Sequence, residues 1–101
     1  VELIALPSAF TAITGKAHWE TLVRARAIEN LSYVIAPAQG GYHLNGRETF
    51  GHSMIVDPWG LMQDRLPHGS GFAIAELDPN YLRATRRNFP ATSHRRIKCR
   101  I

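Results

Sequence analysis

The first residues to test for chemistry are one cysteine, one glutamate and one histidine, because a thiolate nucleophile needs a nearby base. Cys99 stands two residues before the end of a sequence of 101 residues, where chains are commonly poorly ordered. His18 and Glu20 are separated by one residue on a predicted helix, so their side chains point in different directions. We therefore assign no catalytic role to any of the three.

Metal binding is the second chemistry to test, and the sequence contains five candidate ligands, His18, His43, His52, His68 and His94. No two of them are three or four residues apart, which is the spacing that places two ligands on one helix face. A sole cysteine also argues against a disulfide and against a thiolate metal site. We expect no metal and no cofactor, and we expect His43 and His52 to form hydrogen bonds within their loop and strand.

Charge is distributed unevenly along a sequence whose formal net charge is +4. Residues 1–82 carry five Lys or Arg against eight Asp or Glu, a balance of −3, whereas residues 83–101 carry seven basic residues and no acidic one. A basic tail can bind phosphates or another anionic surface. However, Phe89 is the only aromatic residue of this tail, and base stacking uses several. We expect a solvated helix face or a partner contact, and no nucleic acid partner.

The composition is that of a folded domain. A hydrophobic content of 45%, a charged content of 20%, and only 8 Gly and 6 Pro argue against a disordered or collagen-like chain. No apolar run reaches the roughly 18 residues that a membrane-spanning helix needs, and no basic leader precedes the first apolar run. With one cysteine, the sequence favours a reducing compartment, so we expect a cytoplasmic protein that does not bind membranes.

The elements that would position functional side chains begin with a parallel crossover. Val1 to Leu6 is a short apolar run, typical of a strand buried on both faces. From about Lys16 to Leu31 apolar residues recur at helical spacing, with Thr14 as the expected N-cap. Tyr33 to Ala36 is typical of a second buried strand, and strand, helix and strand together predict a βαβ unit. The apolar stripe of this helix is Trp19, Leu22, Val23, Ala27 and Ile28.

The rest of the sequence predicts antiparallel strands and a closing helix. Asp57-Pro58-Trp59-Gly60 has the residue order of a type I turn. Asp78 followed by Pro79 is typical of an N-cap and first helical position, and Pro90 stops the helix near Phe89. Gly40-Gly41 indicates a turn or a close approach of the backbone to a ligand. Further predictions are a polar loop over 40–46, strands over 51–56, 61–66 and 72–77, and a turn over 67–71.

The number of covering helices is too small for a sheet of this size. About five largely apolar strands have two faces to bury, yet only one amphipathic helix and one short, charged helix are available. One sheet face is therefore expected to be bare. The first residue is Val1 rather than Met, and the opening strand has no turn or cap before it. We expect an α/β chain that is a fragment of a larger domain.

Five segments in a fixed order add a family resemblance. They are Leu-Pro-Ser-Ala-Phe-Thr at 6–11, Thr-Gly-Lys-Ala-His-Trp-Glu at 14–20, Arg-Ala-Arg-Ala-Ile-Glu-Asn at 24–30, Gly-His-Ser-Met-Ile-Val-Asp-Pro-Trp-Gly at 51–60 and Ala-Glu-Leu-Asp at 75–78. Together they resemble the carbon-nitrogen hydrolase (nitrilase) superfamily, and within it the Nit branch of amidases. The resemblance extends over residues 1–96 and leaves 97–101 as a basic tail.

The resemblance implies a fold and an activity. The fold would be an α-β-β-α sandwich, of which this chain is the C-terminal part. The activity would be hydrolysis by water of small non-peptide amides, of the ω-amide or deaminated-glutathione type. It would use a Cys nucleophile, a Glu base and a Lys that stabilises the oxyanion, all expected upstream of Val1. Neither Cys99 nor Glu20 matches these motifs, so the fragment alone is expected to be inactive.

The resemblance also implies which parts of this chain contact the substrate and the second subunit. Phe10 would form an apolar wall, and Thr11 or Thr14 would hydrogen-bond a substrate carboxylate. The family's homodimer contacts involve the helix that carries Arg24, Arg26 and Glu29, of which the last two can pair on its surface. The residues placed at the pocket are Phe10, Thr11, Thr14, Gly15, His18, Trp19, Gln39 and His43.

Two functions of other classes remain open on the sequence alone. The basic tail suits a small nucleic-acid-binding module, whose affinity would fall steeply with salt. A bare sheet face together with the same tail suits a non-catalytic subunit that associates with a partner protein.

Overall fold

The computed structural model describes residues 1–66, 69–94 and 96–97. The predicted turn residues Pro67 and His68, together with Arg95 and residues 98–101, which include Cys99, lie outside the described residues. The elements in chain order are β1 (Leu3–Ala5), α1 (Ala12–Thr14), a π-helical segment (Gly15–Trp19), α2 (Glu20–Asn30), β2 (Tyr33–Ala36), β3 (Gly40–Tyr42), β4 (Glu48–Phe50), β5 (Ser53–Val56), β6 (Met62–Leu66), α3 (Pro79–Asn88) and a 3-10 turn (Ala91–Ser93).

The main sheet has four strands in the order β1-β2-β5-β6. β1 and β2 are parallel, with Ile4 opposite Val34, and the helical segment between them forms the predicted crossover. β5 pairs antiparallel with both β2 and β6. A mixed sheet with helices confirms the α/β class and the βαβ unit.

The core lies between α2 and one face of this sheet. Trp19, Val23 and Ala27 follow one another at four-residue spacing and are buried against β2 and β5. Burial of each large apolar side chain contributes about 1.5–3 kcal/mol. The predicted stripe is right at these positions but too wide, because Leu22 and Ile28 are 46% and 45% exposed.

The helix begins three residues earlier than the sequence predicts. Thr11, not Thr14, is the N-cap, and its hydroxyl accepts a hydrogen bond from the backbone N–H of Thr14 at 3.5 Å. The helical rise then continues through a π segment into α2 without a break. The prediction failed because Thr11 and Thr14 are both good N-cap residues, and helical periodicity becomes visible only after the π segment.

The predicted polar loop over 40–46 is instead half of a hairpin. β3 pairs antiparallel with β4, with Gly40 opposite Phe50, and Asn45-Gly46, a common hairpin signal, lies in the connection. The first glycine of the pair, Gly40, marks a close approach to backbone, whereas Gly41 has a positive φ of 102° and open space around it. A Cβ on Gly40 would lie 2.9 Å from the Cα of Gly51.

The predicted strand over 72–77 is also absent. This segment belongs to no strand ladder, and the backbone N–H of Ile74 donates instead to the carboxylate of Asp64 at 2.8 Å. Phe72 and Ile74 are 78% and 70% exposed. An apolar run of this length forms a strand only where a neighbouring strand has free backbone groups to pair with it. No described strand pairs with this segment.

The turn and helix boundaries of the second half agree with the prediction. Asp57 Oδ1 accepts hydrogen bonds from the backbone N–H of Trp59 at 2.8 Å and of Leu61 at 2.9 Å, which closes the turn. The pKa of Tyr81 is raised, mainly because burial disfavours its charged form and to a smaller extent because the negative charge of Asp57 is near. Asp78 caps α3 by accepting from the N–H groups of Asn80 and Tyr81, with Pro79 as the first helical residue.

The sheet face opposite α2 is only partly covered by the described residues. Leu3 and Ala5 of β1 are exposed and Ile35 is partly exposed, whereas Ile55 is buried. A cavity bounded by Ile35, Ile55 and Phe72 lies on this side. The face is therefore open at β1, as the small number of covering helices predicts.

Arg86 of α3 joins three parts of the chain. Its guanidinium donates to the carbonyl of Leu31 at 2.9 Å, to the hydroxyl of Ser32 at 3.0 Å and to the carbonyl of Val1. Leu31 ends α2 in the left-handed conformation, with φ 45°, and is completely buried. A cation at this place also interacts favourably with the negative end of the helix dipole.

We expect Arg86→Ala to lower the free energy of unfolding by about 2 kcal/mol, because it leaves partly buried carbonyl groups without their charged donor. Urea titration followed by circular dichroism measures the change. Arg87→Ala is the matched control, since Arg87 is exposed, and it should unfold like the wild type. Equal midpoints for both variants would contradict the structural role of Arg86.

Candidate functional site

The carboxyl ends of the parallel strands β1 and β2 meet at one edge of the sheet. Beyond the strands the two segments that follow them stay paired. The N–H of Ser8 donates to Pro37 O and the N–H of Gln39 donates to Ser8 O, both at 3.0 Å. An open cavity of about 520 Å³ lies there, lined by residues 7–9, residues 37–39 and Ser53. Ligands of open sheets commonly bind beyond the carboxyl ends of strands, so this edge is the candidate site.

The hairpin of β3 and β4 is attached to both strand exits. The N–H of Phe50 donates to Phe10 O at 2.9 Å, on the β1 side, and the N–H of Gly51 donates to Gln39 O at 3.0 Å, on the β2 side. Thr11 and Thr49 form an antiparallel bridge between the helix start and β4. The base of the hairpin therefore has a fixed position beside the cavity.

Phe10 and Trp19 form one aromatic contact, with ring centroids 5.1 Å apart. Trp19 is only 2% exposed, and its indole N–H donates to the carbonyl of His52 at 2.9 Å. Phe10 is partly buried and packs on the edge of the core. Of the two rings, Trp19 is therefore enclosed, whereas Phe10 keeps part of its surface exposed.

Gly15 is a contact point between the helix and the hairpin. A Cβ at this position would lie 2.2 Å from the Cβ of Phe50, which no real side chain tolerates. The ring of Phe50 in turn stacks on the imidazole of His52, with centroids 3.9 Å apart. Gly15 is buried, and its lack of a side chain allows the close approach of Phe50.

The two threonines lie together at the helix start. Their hydroxyl oxygens are 2.6 Å apart, and the hydroxyl of Thr14 also donates to the carbonyl of Thr11 at 3.3 Å. Thr14 is exposed and Thr11 is partly buried. His18 lies on the π segment and is exposed, and it does not line the cavity.

Gln39 and His43 lie on opposite sides of Gly40-Gly41. The backbone of Gln39 pairs with Ser8 and Gly51, and its side chain is exposed at the cavity. His43 Nε2 lies 2.8 Å from the hydroxyl of Thr49, and His52 Nδ1 donates to Phe50 O at 2.9 Å. The predicted hydrogen bonds of both histidines are confirmed, with β4 supplying both partners.

Ser53 and Arg47 were missed by the sequence analysis. The hydroxyl of Ser53 accepts from the N–H of Ala38 at 2.9 Å and donates to its carbonyl at 3.3 Å, which fixes the end of β2. Arg47 Nη2 donates to the carbonyl of Ala9, a cavity residue, at 3.4 Å. The hairpin signal Asn45-Gly46 could have predicted this position of Arg47. A hairpin turn folds the segment after it back along β3, toward the edge of the sheet where the cavity lies.

The helix surface assigned to a second subunit is occupied in part by contacts within the chain. Arg24 Nε donates to the carbonyl of Gly60 at 2.8 Å, which holds the 57–60 turn against α2. Arg26 and Glu29 form the predicted surface pair at 2.5 Å, with both side chains about half exposed. Such a pair contributes less than about 1 kcal/mol to stability.

Within residues 1–66, 69–94 and 96–97, no three His, Cys, Asp or Glu side chains lie close enough to hold a metal ion. None of the described helices is long and apolar enough to span a membrane. Thr49 and His43 form a hydroxyl–imidazole pair, in which Thr49 is 4% exposed and lines a second cavity.

Sequence comparisons match this chain with one group of proteins. A family model described as carbon-nitrogen hydrolase matches residues 1–87. The chain is 54% identical over 95 residues to the deaminated glutathione amidase of Homo sapiens, which covers 94% of the chain and 29% of that protein. It is 50% identical over 94 residues to the deaminated glutathione amidase of Synechocystis, covering 93% of the chain and 35% of that protein.

Two solved structures have a similar fold. The NitFhit protein of Caenorhabditis elegans superimposes with a TM-score of 0.91 at 50% identity, over 95% of this chain and 23% of that one. Nit3 of Saccharomyces cerevisiae, a member of branch 10 of the nitrilase superfamily, superimposes with a TM-score of 0.84 at 35% identity, over 94% and 35%. The chain thus spans about a third or less of the length of the proteins that it matches.

We expect Gly15→Ala to lower the melting temperature strongly, because the added methyl group must displace Phe50 and overpacking of this kind costs about 1–3 kcal/mol. Scanning calorimetry measures the shift. Lys16→Ala, at the exposed next position of the π segment, is the control and should melt like the wild type. A double variant with Phe50→Leu should recover part of the loss, and an unshifted Gly15→Ala would exclude the close contact.

Proposed function

Because the chain belongs to the carbon-nitrogen hydrolase family, we propose that it forms part of an amidase that cleaves an amide of a small carboxylated substrate. The reaction consumes water and releases a carboxylate and the amine of the cleaved amide, which is ammonia for a primary ω-amide and the dipeptide cysteinylglycine for deaminated glutathione. The observation that carries the proposal is the 54% identity with a deaminated glutathione amidase over 94% of the chain. Deaminated glutathione, or an ω-amide of similar chemistry, is the proposed substrate class.

The proposed role of these residues is to form one wall of the substrate pocket. Phe10 supplies an apolar surface, and Thr11 and Thr14 supply hydroxyl groups beside it. The exposed side chain of Gln39 borders the cavity on the β2 side. The Cys nucleophile, Glu base and oxyanion-stabilising Lys are proposed to belong to sequence outside these residues, since neither Cys99 nor Glu20 matches the family's catalytic motifs.

The nucleic-acid-binding alternative has a weaker basis in the structure than in the sequence. Arg86, one of the seven basic residues of the tail, directs its guanidinium inward to three groups of the chain. Arg83 donates to the side chain of Asn80 at 2.8 Å. The amidase is therefore the function that we test.

A hybrid enzyme tests the proposal directly. In the amidase of Synechocystis, the segment that matches this chain is replaced by residues 1–94 of the chain. We expect the hybrid to hydrolyse deaminated glutathione at a rate within about tenfold of that of the parent enzyme, because both segments would form the same pocket wall. Chromatographic measurement of the cysteinylglycine released gives the rate.

The control for the hybrid is this chain by itself, which we expect to release no cysteinylglycine above the buffer background. Turnover by the isolated chain would contradict the placement of the nucleophile outside it. A hybrid that folds, as judged by its circular dichroism and melting, but that neither binds nor hydrolyses deaminated glutathione would refute the proposed function.

We also propose that the amidase is a homodimer whose contact surface includes the exposed pair of Arg26 and Glu29 on α2. In the hybrid, Arg26→Ala should weaken self-association by about tenfold, as loss of a central interface arginine does. Sedimentation velocity at several concentrations measures the dissociation constant. Glu76→Gln, a change at an exposed position on another segment, is the control. A monomeric hybrid, or equal constants for both variants, would contradict the dimer surface.

A further inference from the structure

Arg47 is a cation next to the cavity, and the proposed substrate pocket gives it no role so far. Its guanidinium reaches from the hairpin to the carbonyl of Ala9 at 3.4 Å, and Ala9 lines the cavity at the carboxyl ends of β1 and β2. The side chain is exposed. This single long hydrogen bond at an exposed position adds little to stability, so it does not by itself explain an arginine here.

The backbone around Arg47 is held on both sides. Its N–H donates to the side chain of Asn45 at 3.0 Å, and its carbonyl accepts from the N–H of His43 at 2.8 Å. Two residues later, Thr49 bonds to His43 and bridges to Thr11. The base of the arginine therefore does not move freely with respect to the cavity, which is the condition for an oriented contact.

The charge of Arg47 is not neutralised by the described chain. Among the described residues the ion pairs are Arg26 with Glu29 and Arg65 with Glu20, and neither includes Arg47. The adjacent carboxylate, Glu48, lines a different cavity with Thr49 and Phe50. The cavity beside Ala9 is lined by no acidic residue, so an anion there would meet the guanidinium without a competing charge.

We propose that Arg47 binds a carboxylate of the substrate and so makes the site selective for amides that carry a free carboxylate. A guanidinium offers five N–H donors in a planar fork that matches a carboxylate, and one of them is used on Ala9. The hydroxyl groups of Thr11 and Thr14 lie on the helix side of the same wall and remain available for the other polar groups of the substrate. This inference rests on the proposed amidase function.

The hybrid enzyme distinguishes a charge-recognition role from a structural one. Two substrates are compared, deaminated glutathione and the same molecule with its carboxylates converted to methyl esters. In the hybrid with Arg47→Gln, KM for the acid should rise roughly tenfold with little change in kcat, while the kinetics of the ester stay unchanged. The salt dependence of KM for the acid should also become weaker, because a screened charge pair is lost.

Two further variants sharpen the comparison. Arg47→Lys should restore part of the preference for the acid, since it keeps the charge but not the fork. Glu48→Gln, at the adjacent position facing a different cavity, should leave the acid-to-ester ratio as it is in the hybrid. A parallel loss for acid and ester in Arg47→Gln, or an unchanged ratio, would overturn the role of Arg47.

Failure of the proposed function can be told apart from failure of this inference. If the hybrid binds deaminated glutathione but does not turn it over, calorimetry gives the dissociation constant in place of KM. An approximately tenfold weaker binding in Arg47→Gln would still support carboxylate recognition, and equal binding would overturn it. A hybrid that neither binds nor cleaves the acid removes the ligand and refutes both.

Discussion

The parallel alignment of β1 and β2 is the constraint on which the rest of the site depends. It requires a crossover, and the burial of Trp19, Val23 and Ala27 against the sheet holds that crossover in place. Because both strands run in the same direction, their carboxyl ends leave the sheet at one edge and stay paired through Ser8 and Gln39. The cavity, the attachment of the hairpin and the position of Arg47 all follow from this edge.

Features that depend on neighbouring residues were predicted from the sequence, and features that depend on pairing over distance were not. The four-residue repeat of the helix, the Asp57 turn and the Asp78-Pro79 cap are of the first kind and were predicted correctly. The errors are of the second kind. Residues 72–77 form an apolar run of strand length but pair with no described strand, and residues 40–42 are polar and glycine-rich yet form a strand because β4 pairs with them.

The candidate site was predicted only in part, for the same reason. The resemblance placed Phe10, Thr11 and Thr14 at the wall, and the structure brings them together at the helix start. It also shows that Gly15 and Trp19 are buried beside Phe50 and His52. No local pattern joins residues so far apart in sequence, so these contacts could not be predicted from the segments that carry the resemblance.

Leu31, at the end of α2, is a position where both the backbone conformation and the size of the side chain are constrained. Leu31 adopts a left-handed backbone, which costs an ordinary residue about 1–2 kcal/mol, and yet its side chain is completely enclosed. Glycine would relax the backbone but leave a void, and any larger or polar residue would keep the backbone penalty and lose the fit. In a population of variants this site should accept almost no replacement, so a survey of tolerated substitutions would identify it without any knowledge of activity.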